Sequence, residues 1–550
     1  MNQVFLQIHP KDNVLAALQD LPKGRQVDFR EQQITLKEDI PAKHKFTTES
    51  ILAGEDIVMY GVLVGKALHN IEVGCRISLD NTTHAAQTYG QRIKNLEWEK
   101  PNVEAWRNRT FMGYHRQDGQ VGTMNTWLVI PLVFCENRNV EVIKKAMLEV
   151  LGYAPHQSLN VDVHGLMQAY ENGATLDDLL AQNVVKTQAE IFKQRFFKNI
   201  DGIKFLTHEG GCGGTREDAD TLCRLLAGYI THPNVAGATV LSLGCQNAQI
   251  QILKDAIQRL NPNFSKPLYF FEQQQSASEA AFIGDIVKQT FVGLIEANRI
   301  ERRPASIAHL KIGLECGGSD GFSGISANPT LGYTSDMLVA LGGTSILAEF
   351  PELNGVEQEL INRCEQDHDA KRFAHLMQTY SNRAEAVGSG FKNNPSPGNI
   401  KDGLITDAIK SAGAAKKGGS SPVRAVLDYT EPARKNGLNL LCTPGNDVES
   451  TTGLAGSGAN IIIFTTGLGT PTGNPITPVI KVSSNTKLYE KMNDIIDFNT
   501  GTIISGEDTP QTKGEELLEF ILQVASGKKI TKASQLGQDD FIPWKRGISL

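Results

Sequence analysis

The chain has 550 residues, 40% of them hydrophobic and 21% charged, with a formal net charge of −7; this is more than one core can hold, in a composition ordinary for globular domains. No long basic run is present, so nothing electrostatic supports nucleic acid binding, and small molecules are the expected partners. The most apolar windows, 126–134 and 459–464, fall far short of the ~20 residues a bilayer span needs. The opening residues lack the basic and apolar regions of a secretory signal. A cytoplasmic protein with no membrane partner is therefore expected, and eight cysteines over this length do not make a disulfide framework.

Taken in chain order, residues 1–92 alternate short apolar runs with glycines. Segments 33–36, 56–60 and 74–79 read as strands and only 14–21 as helix, which predicts a small β-rich domain. Its run Ala42-Lys43-His44-Lys45-Phe46, with the glycine-bounded segments at 51–55 and 61–65, resembles the SAF module, a compact β-clip domain. Residues 93–108 are polar and serve as a linker. A second domain spans 109–298 and carries two strand, loop, helix units. In the first, 203–206 lead into His208-Glu209-Gly210-Gly211-Cys212-Gly213-Gly214, then a capping box at Thr215 before a helix over 219–230. In the second, 238–243 lead into Gly244-Cys245-Gln246-Asn247 and an amphipathic helix to Leu260. Between about 140 and 200 a charged, mostly helical stretch reads as a surface excursion.

The third domain, 299–550, opens on a strand at 309–314 and the loop Glu315-Cys316-Gly317-Gly318-Ser319-Asp320-Gly321. Asn328-Pro329 then reads as N-cap and first-turn proline of a helix over 331–341. A Gly/Lys/Ser-rich loop is expected at 411–421, and two further loops, Thr443-Pro444-Gly445-Asn446-Asp447 and 465–474, follow the apolar runs 438–441 and 461–464. Strands alternating with helices predict mainly parallel sheets. The expected fold class is α/β, with a small N-terminal β-rich domain followed by two α/β domains.

None of the glycine loops carries a nucleotide signature: there is no Gly-x-x-x-x-Gly-Lys-Ser/Thr, and residues 467–473 have the wrong spacing for a dinucleotide fingerprint. A tight turn explains any one such loop, but not as readily five or six of them bearing Asn, Asp, Thr and Cys. The loop after Leu314 lies where open α/β sheets bind ligands, and its glycines let backbone N–H groups approach an anion. Cys212, Cys245 and Cys316 each follow a strand, and His208 lies four residues before Cys212. Thiolate and imidazole suit Fe(II), Zn or an iron–sulfur centre, although each thiol taken singly reads equally well as packing. His44 reads as a solvated histidine or a functional one. Arg116 and Asn125 flank an Asp118-Gly119 turn and could instead grip a carboxylate or hydroxyls.

In this order these pieces resemble the altronate/galactarate dehydratase family over nearly the whole chain. The resemblance rests on Ala42-Lys43-His44-Lys45-Phe46, Gly119-x-Val121-Gly122-x-x-Asn125, Gly244-Cys245, and the run from Gly313 to Gly321. It continues through Glu349-x-Pro351-Glu352, Asn394-Pro395-Ser396-Pro397-Gly398-Asn399, Pro444-Gly445-Asn446-Asp447 and Thr466-Gly467-x-Gly469-Thr470-Pro471. The chain departs from the family pattern in its enlarged segment at about 140–200 and in the residues between His208 and Cys212. The resemblance implies a hydro-lyase of hexuronate catabolism that converts D-altronate to 2-keto-3-deoxy-D-gluconate and requires Fe(II) or Mn(II), an iron–sulfur cluster remaining open. Galactarate dehydration is the alternative, followed by a sulfolactate lyase or a non-catalytic sugar-acid-binding protein. Under this reading the metal ligands come from His208, Cys212, Cys245 and Cys316, the acid/base groups are Glu315 and Asp320, and His44 reaches in from the SAF-like domain as proton carrier or further ligand. Arg116, Asn125, Gly317, Gly318, Ser319, Asn446 and Thr470 bind substrate, and a homo-oligomer is possible.

Overall fold

In the N-terminal part Val27 and Ile34 are buried, while Gln26, Asp28, Gln33 and Thr35 around them are exposed. This is the period-two pattern of strands with one face on a core. The computed structural model describes residues 4–93, 97–154, 159–187, 194–547 and 549. Three small antiparallel sheets make up the first domain: Phe5–Leu6 with Val14–Ala17 and Lys45–Thr47; Gln26–Phe29 with Gln32–Thr35; and Asp56–Met59 with Val62–Ala67 and Thr82–Thr83. Residues 14–21, expected as a helix, instead hold the strand Val14–Ala17, buried at all its positions. A short, wholly apolar run carries no period that separates a buried strand from a helix. Residues 74–79, expected as a strand, make only the isolated bridge Phe46↔Arg76.

The second domain is built on a parallel sheet in the order Gly202–Phe205, Thr126–Pro131, Val235–Ser242, Leu268–Glu272. Alternation along the central strand sends Leu128 and Ile130 into one core with helices Arg216–Thr231 and Ile250–Leu260. Trp127 and Val129 enter the other, with Asn137–Leu148 and Glu279–Ala297. Thr215 caps its helix by accepting from the Asp218 N–H. The excursion holds the antiparallel pair Leu159–Val161 with Val185–Thr187 and, between these strands, the helices Val163–Glu171 and Leu176–Ala181; parts of it lie outside the described residues. Arg302–Ser306, beyond the expected boundary at 298, pairs antiparallel with Thr110–His115 of the second domain.

The third domain is a seven-stranded sheet, parallel throughout, in the order Val423–Leu427, Gly437–Leu441, Thr344–Leu347, Lys311–Cys316, Ile461–Thr466, Val479–Ser483, Phe498–Asn499. The chain starts at the central strand, adds Thr344–Leu347 beside it, passes to the edge at Val423–Leu427, fills the gap with Gly437–Leu441, then returns to pair Ile461–Thr466 with the other edge of that first strand. The carboxyl end of Lys311–Cys316 therefore lies at the topological switch point, where such sheets open a crevice. Two local expectations shift. The helix starts at Ala327, so Pro329 falls in its first turn, where the missing N–H has no intrahelical partner to lose. Of residues 411–421 only 419–421 form a loop: Ala408, Ala412, Ala414 and Ala415 extend a helix, Asp407–Ala415, capped by Thr406, and a 3-10 turn follows at Lys416–Gly418. Alanine's helix propensity outweighs the glycines downstream.

Among the described residues no helix is long and apolar enough to cross a membrane. The second and third domains meet where Arg216–Thr231 crosses Asp447–Gly456: a Cβ on Gly228 would lie 2.2 Å from the Gly456 carbonyl oxygen. Gly228→Val is therefore expected to lower stability by about 1–3 kcal/mol through overpacking, measured as a shifted urea midpoint; an unchanged midpoint would contradict this backbone-to-backbone contact.

Candidate active site

Strand Lys311–Cys316 ends by placing Glu315 and Cys316, both fully buried, beside the carboxyl end of Thr344–Leu347. Two residues beyond that neighbouring strand, Glu349 takes a left-handed backbone, φ 64°, uncommon for a residue with a side chain and typical of strained functional positions. Its N–H donates to Thr443 Oγ1 (2.8 Å), and its Oε2 accepts from the Cys316 N–H (3.0 Å). The following 3-10 turn, Phe350–Leu353, presents Glu352, whose Oε2 lies 3.9 Å from Cys316 Sγ. Among the described residues, Cys316, Glu349 and Glu352 are the one group of three candidate metal ligands whose donor atoms all lie within 4.8 Å of one another.

Two lysines from the Asp407–Ala415 helix and the turn after it reach this cluster. Lys417 Nζ donates to Cys316 Sγ (2.8 Å) and Glu349 Oε2 (2.5 Å), and Lys410 Nζ pairs with Glu352 Oε1 (2.8 Å), which also accepts from Asn394 (3.0 Å). Glu315 Oε2 accepts from the Ser450 hydroxyl (2.7 Å). Burial and then the Glu349 charge push the Glu315 carboxyl well above the usual range. Burial and then Glu349 and Glu352 raise Asp447 to about 7. Asp447 is only partly covered and abuts the glycine loop, since a Cβ on Gly317 would meet its Oδ2 at 2.2 Å. Burial works against the Lys417 ammonium, but Cys316, Glu349 and Glu315 together hold it charged.

Four acidic groups, of Glu315, Glu349, Glu352 and Asp447, thus stand against two ammonium groups, of Lys410 and Lys417, and burial together with the Glu349 charge favours the neutral form of Glu315. Oε1 of Glu315 and Oε1 of Glu349 are buried without a hydrogen-bond partner. A buried carboxylate needs paired charge or a metal. One thiol with two carboxylates is a mixed soft and hard donor set that suits a divalent transition ion. The cluster therefore fits the metal that the family resemblance implies.

The sequence-derived site residues divide between this cluster and other places. Glu315, Cys316, Gly317 and Gly318 belong to it, and Gly318 packs on the 467–469 loop by accepting from the Gly467 and Leu468 N–H groups (3.0 and 2.8 Å). Ser319 and Thr470, both mostly buried, border the same two loops. Asn446 caps the Asp447–Gly456 helix with its own oxygen. His208 lies in the second domain with both ring nitrogens occupied, Nε2 against the Pro131 carbonyl (2.7 Å) and Nδ1 accepting from the Gly210 N–H (3.1 Å). Cys212 and Cys245 are exposed thiols on that domain's loops, and the His208 and Cys212 loop faces a cavity of about 290 Å³ shared with Tyr429 and Trp544. These three do not join Cys316 in one ligand group. Arg116 and Asn125 bind each other (2.8 Å) and the backbone at Pro233, Asn199 and Ala297, at the amino end of the Thr126–Pro131 strand, where they knit that sheet to its neighbours.

Asp320 and His44 sit where the first domain docks. Asp320 is fully buried and accepts from Ser323 (2.9 Å), Ser484 (2.8 Å), Asn485 (3.2 Å) and the Phe322 N–H (3.2 Å), and pairs with Lys43 (3.1 Å). Lys43 also holds Asp402 (2.7 Å), Lys45 donates to the Gly403 carbonyl (2.7 Å), and His44 Nε2 bonds that of Lys401 (3.1 Å). Glu349, Glu352, Asp447, Lys410 and Lys417 escaped the sequence-derived set, although the strings Glu349-x-Pro351-Glu352 and Asn446-Asp447 carried a signal: a second acidic pair just past an apolar run.

With every oxygen of Asp320 engaged, Asp320→Ala is expected to cost about 3–5 kcal/mol by leaving buried partners unpaired, read as a lower unfolding midpoint; a variant as stable as the parent yet inactive would return Asp320 to the chemistry. Burial also lowers the His208 imidazole from its ordinary 6.5 to about 4. Between those pH values the unfolded chain binds a proton that the folded chain refuses, so this histidine's contribution falls as pH drops, by up to about 1.4 kcal/mol per pH unit. Comparing urea midpoints at pH 7 and pH 5, His208→Gln should lose less stability than the parent; an equal loss would contradict a buried neutral His208.

Comparison with known proteins agrees with this layout. Residues 3–85 match the family described as Altronate/galactarate dehydratase SAF domain, 113–298 D-galactarate dehydratase/Altronate hydrolase, second domain, and 307–549 D-galactarate/Altronate dehydratase, C-terminal. The chain is 33% identical over 550 residues to an altronate dehydratase of Bacillus subtilis (strain 168), covering 99% of both chains. It is 31% identical to an altronate dehydratase of Escherichia coli (strain K12), covering 96% of each, and 30% identical to the galactarate dehydratase (L-threo-forming) of the same organism, covering 97% of this chain and 95% of the relative. From its SAF domain to its C-terminal sheet, the chain belongs to the altronate/galactarate dehydratase family of hydro-lyases.

Proposed function

We propose that this protein is a cytoplasmic sugar-acid dehydratase that converts D-altronate to 2-keto-3-deoxy-D-gluconate and water, with Fe(II) or Mn(II) held by Cys316, Glu349 and Glu352. The observation that carries the reading is the buried acid and thiol cluster at the switch point of the seven-stranded sheet. The altronate dehydratases at 33% and 31% identity support altronate; the galactarate dehydratase at 30% makes galactarate the second reading.

The reaction removes the C2 proton beside a carboxylate and loses the 3-hydroxyl as water, and the enol tautomerises to the keto acid. A bound divalent ion supplies Lewis-acid stabilisation of the negative charge that develops next to the carboxylate. Asp447, partly exposed and raised to about 7, is matched to proton transfer near neutrality and takes the C2 proton on its carboxylate. Glu315, whose carboxyl is pushed well above the usual range by burial and the Glu349 charge, is the acid that donates to the departing 3-hydroxyl. Ser319 and Thr470 contact the polyol from the glycine loops. Lys410, through Glu352, fixes the carboxylate orientation.

The test is keto-acid formation by anaerobically purified protein with added Fe(II) or Mn(II), on D-altronate and galactarate side by side. Altronate turnover is expected, falling about 10²- to 10⁴-fold in Asp447→Asn. Galactarate turnover alone would move the assignment to the second reading, and turnover of neither would refute the dehydratase.

A further inference from the structure

We propose that Lys417 is the resident cation of the Cys316–Glu349–Glu352 cluster, its ammonium standing where a divalent ion binds, so that lysine and metal compete for one position. The inference rests on the metal reading given above and concerns how this chain keeps the site intact without metal. The Lys417 Nζ touches two of the three donor groups, at 2.8 Å from Cys316 Sγ and 2.5 Å from Glu349 Oε2, and those groups lie within 4.8 Å of the third. A hydrogen-bonded ammonium and a metal ion cannot share so small a volume, and both are drawn to it by the same charge. The lysine side chain is 1% exposed and that of Glu349 is 0% exposed, so water does not substitute for either partner.

The structure also provides a place for the displaced ammonium. Lys417 already bonds Glu349 through Oε2, and Glu349 Oε1 is buried with no hydrogen-bond partner, free to take the ammonium. Lys417 sits on a 3-10 turn that ends in Gly418 and Gly419, and its four-carbon stem carries a compact point charge that redirects by rotamer change alone. Lys410 is different: it pairs with the outer oxygen of Glu352 and with Asn394 Oδ1 (2.6 Å), and it makes no hydrogen bond to Cys316 or Glu349, so it remains in place when the metal enters. Lys417 is thus a positioning residue that holds the donor atoms converged and yields on metal binding.

The experiment compares the parent with Lys417→Met and Lys417→Arg, measuring Mn(II) affinity by calorimetry and thermal melting with and without Mn(II). Lys417→Met should bind Mn(II) at least about tenfold more tightly, since a 1.4 kcal/mol change in competition is a factor of ten. Its metal-free melting temperature should fall below that of the parent and recover when Mn(II) is added. Lys417→Arg, which keeps the charge, should bind no more tightly than the parent. Equal or weaker Mn(II) binding by Lys417→Met overturns the proposal, as does a Lys417→Met protein that Mn(II) cannot restore to the folded state, because a cation would then not replace the lysine. Absence of Mn(II) binding by the parent and by Lys417→Met alike overturns the metal reading itself.

Discussion

A crowd of acidic groups governs the carboxyl edge of the large sheet. Glu315, Glu349, Glu352 and Asp447 interact with one another at the carboxyl edge of the large sheet, and no fold tolerates such a group without compensating cations. Much of the third domain's local structure follows from that demand. The left-handed turn at Glu349 brings its carboxylate back over Cys316, the helix from Asp407 delivers Lys410, and the turn after it delivers Lys417. Thr443 and Ser450 tie Glu349 and Glu315 into one hydrogen-bonded chain. The converging Cys316 thiol and Glu349 and Glu352 carboxylates, with Glu349 Oε1 left unpartnered, are a donor set that suits a divalent ion.

The small N-terminal domain is bound into the same arrangement. The segment 394–403 runs from Asn394, on Glu352, to Lys401, Asp402 and Gly403, on His44, Lys43 and Lys45. Between them Asn399 donates to the Ser319 carbonyl of the glycine loop (2.7 Å). One stretch of chain therefore links the docking of the first domain to the position of the acids and of the loop proposed to hold substrate. Asp320 locks the far end, because its oxygens join the first domain's Lys43 to Ser484 and Asn485 beyond the sheet.

The fold was legible where pattern is strong. The strands ending at Cys316, Leu441 and Thr466 are apolar runs stopped by glycine or proline, and a parallel sheet with its site at those ends follows from them. Thr215 announced its helix through capping chemistry. What escaped was information that only long-range contact creates. Lys417 reads in sequence as a surface lysine beside Lys416 and glycines; its meaning comes from Cys316, about a hundred residues away (101). Glu349 stands in a short acidic string whose left-handed turn no local propensity demands. His208, Cys212 and Cys245 looked like ligands because residue type is visible and distance is not. Asp320 looked catalytic because it shares a loop with Glu315, yet the loop turns it toward the first domain's lysines.

Anomalous diffraction at the manganese edge from crystals grown with Mn(II) locates the ion directly. A peak bounded by Cys316 Sγ and the carboxylates of Glu349 and Glu352 is expected. A peak among His208, Cys212 and Cys245, with none at the acid cluster, would contradict this placement.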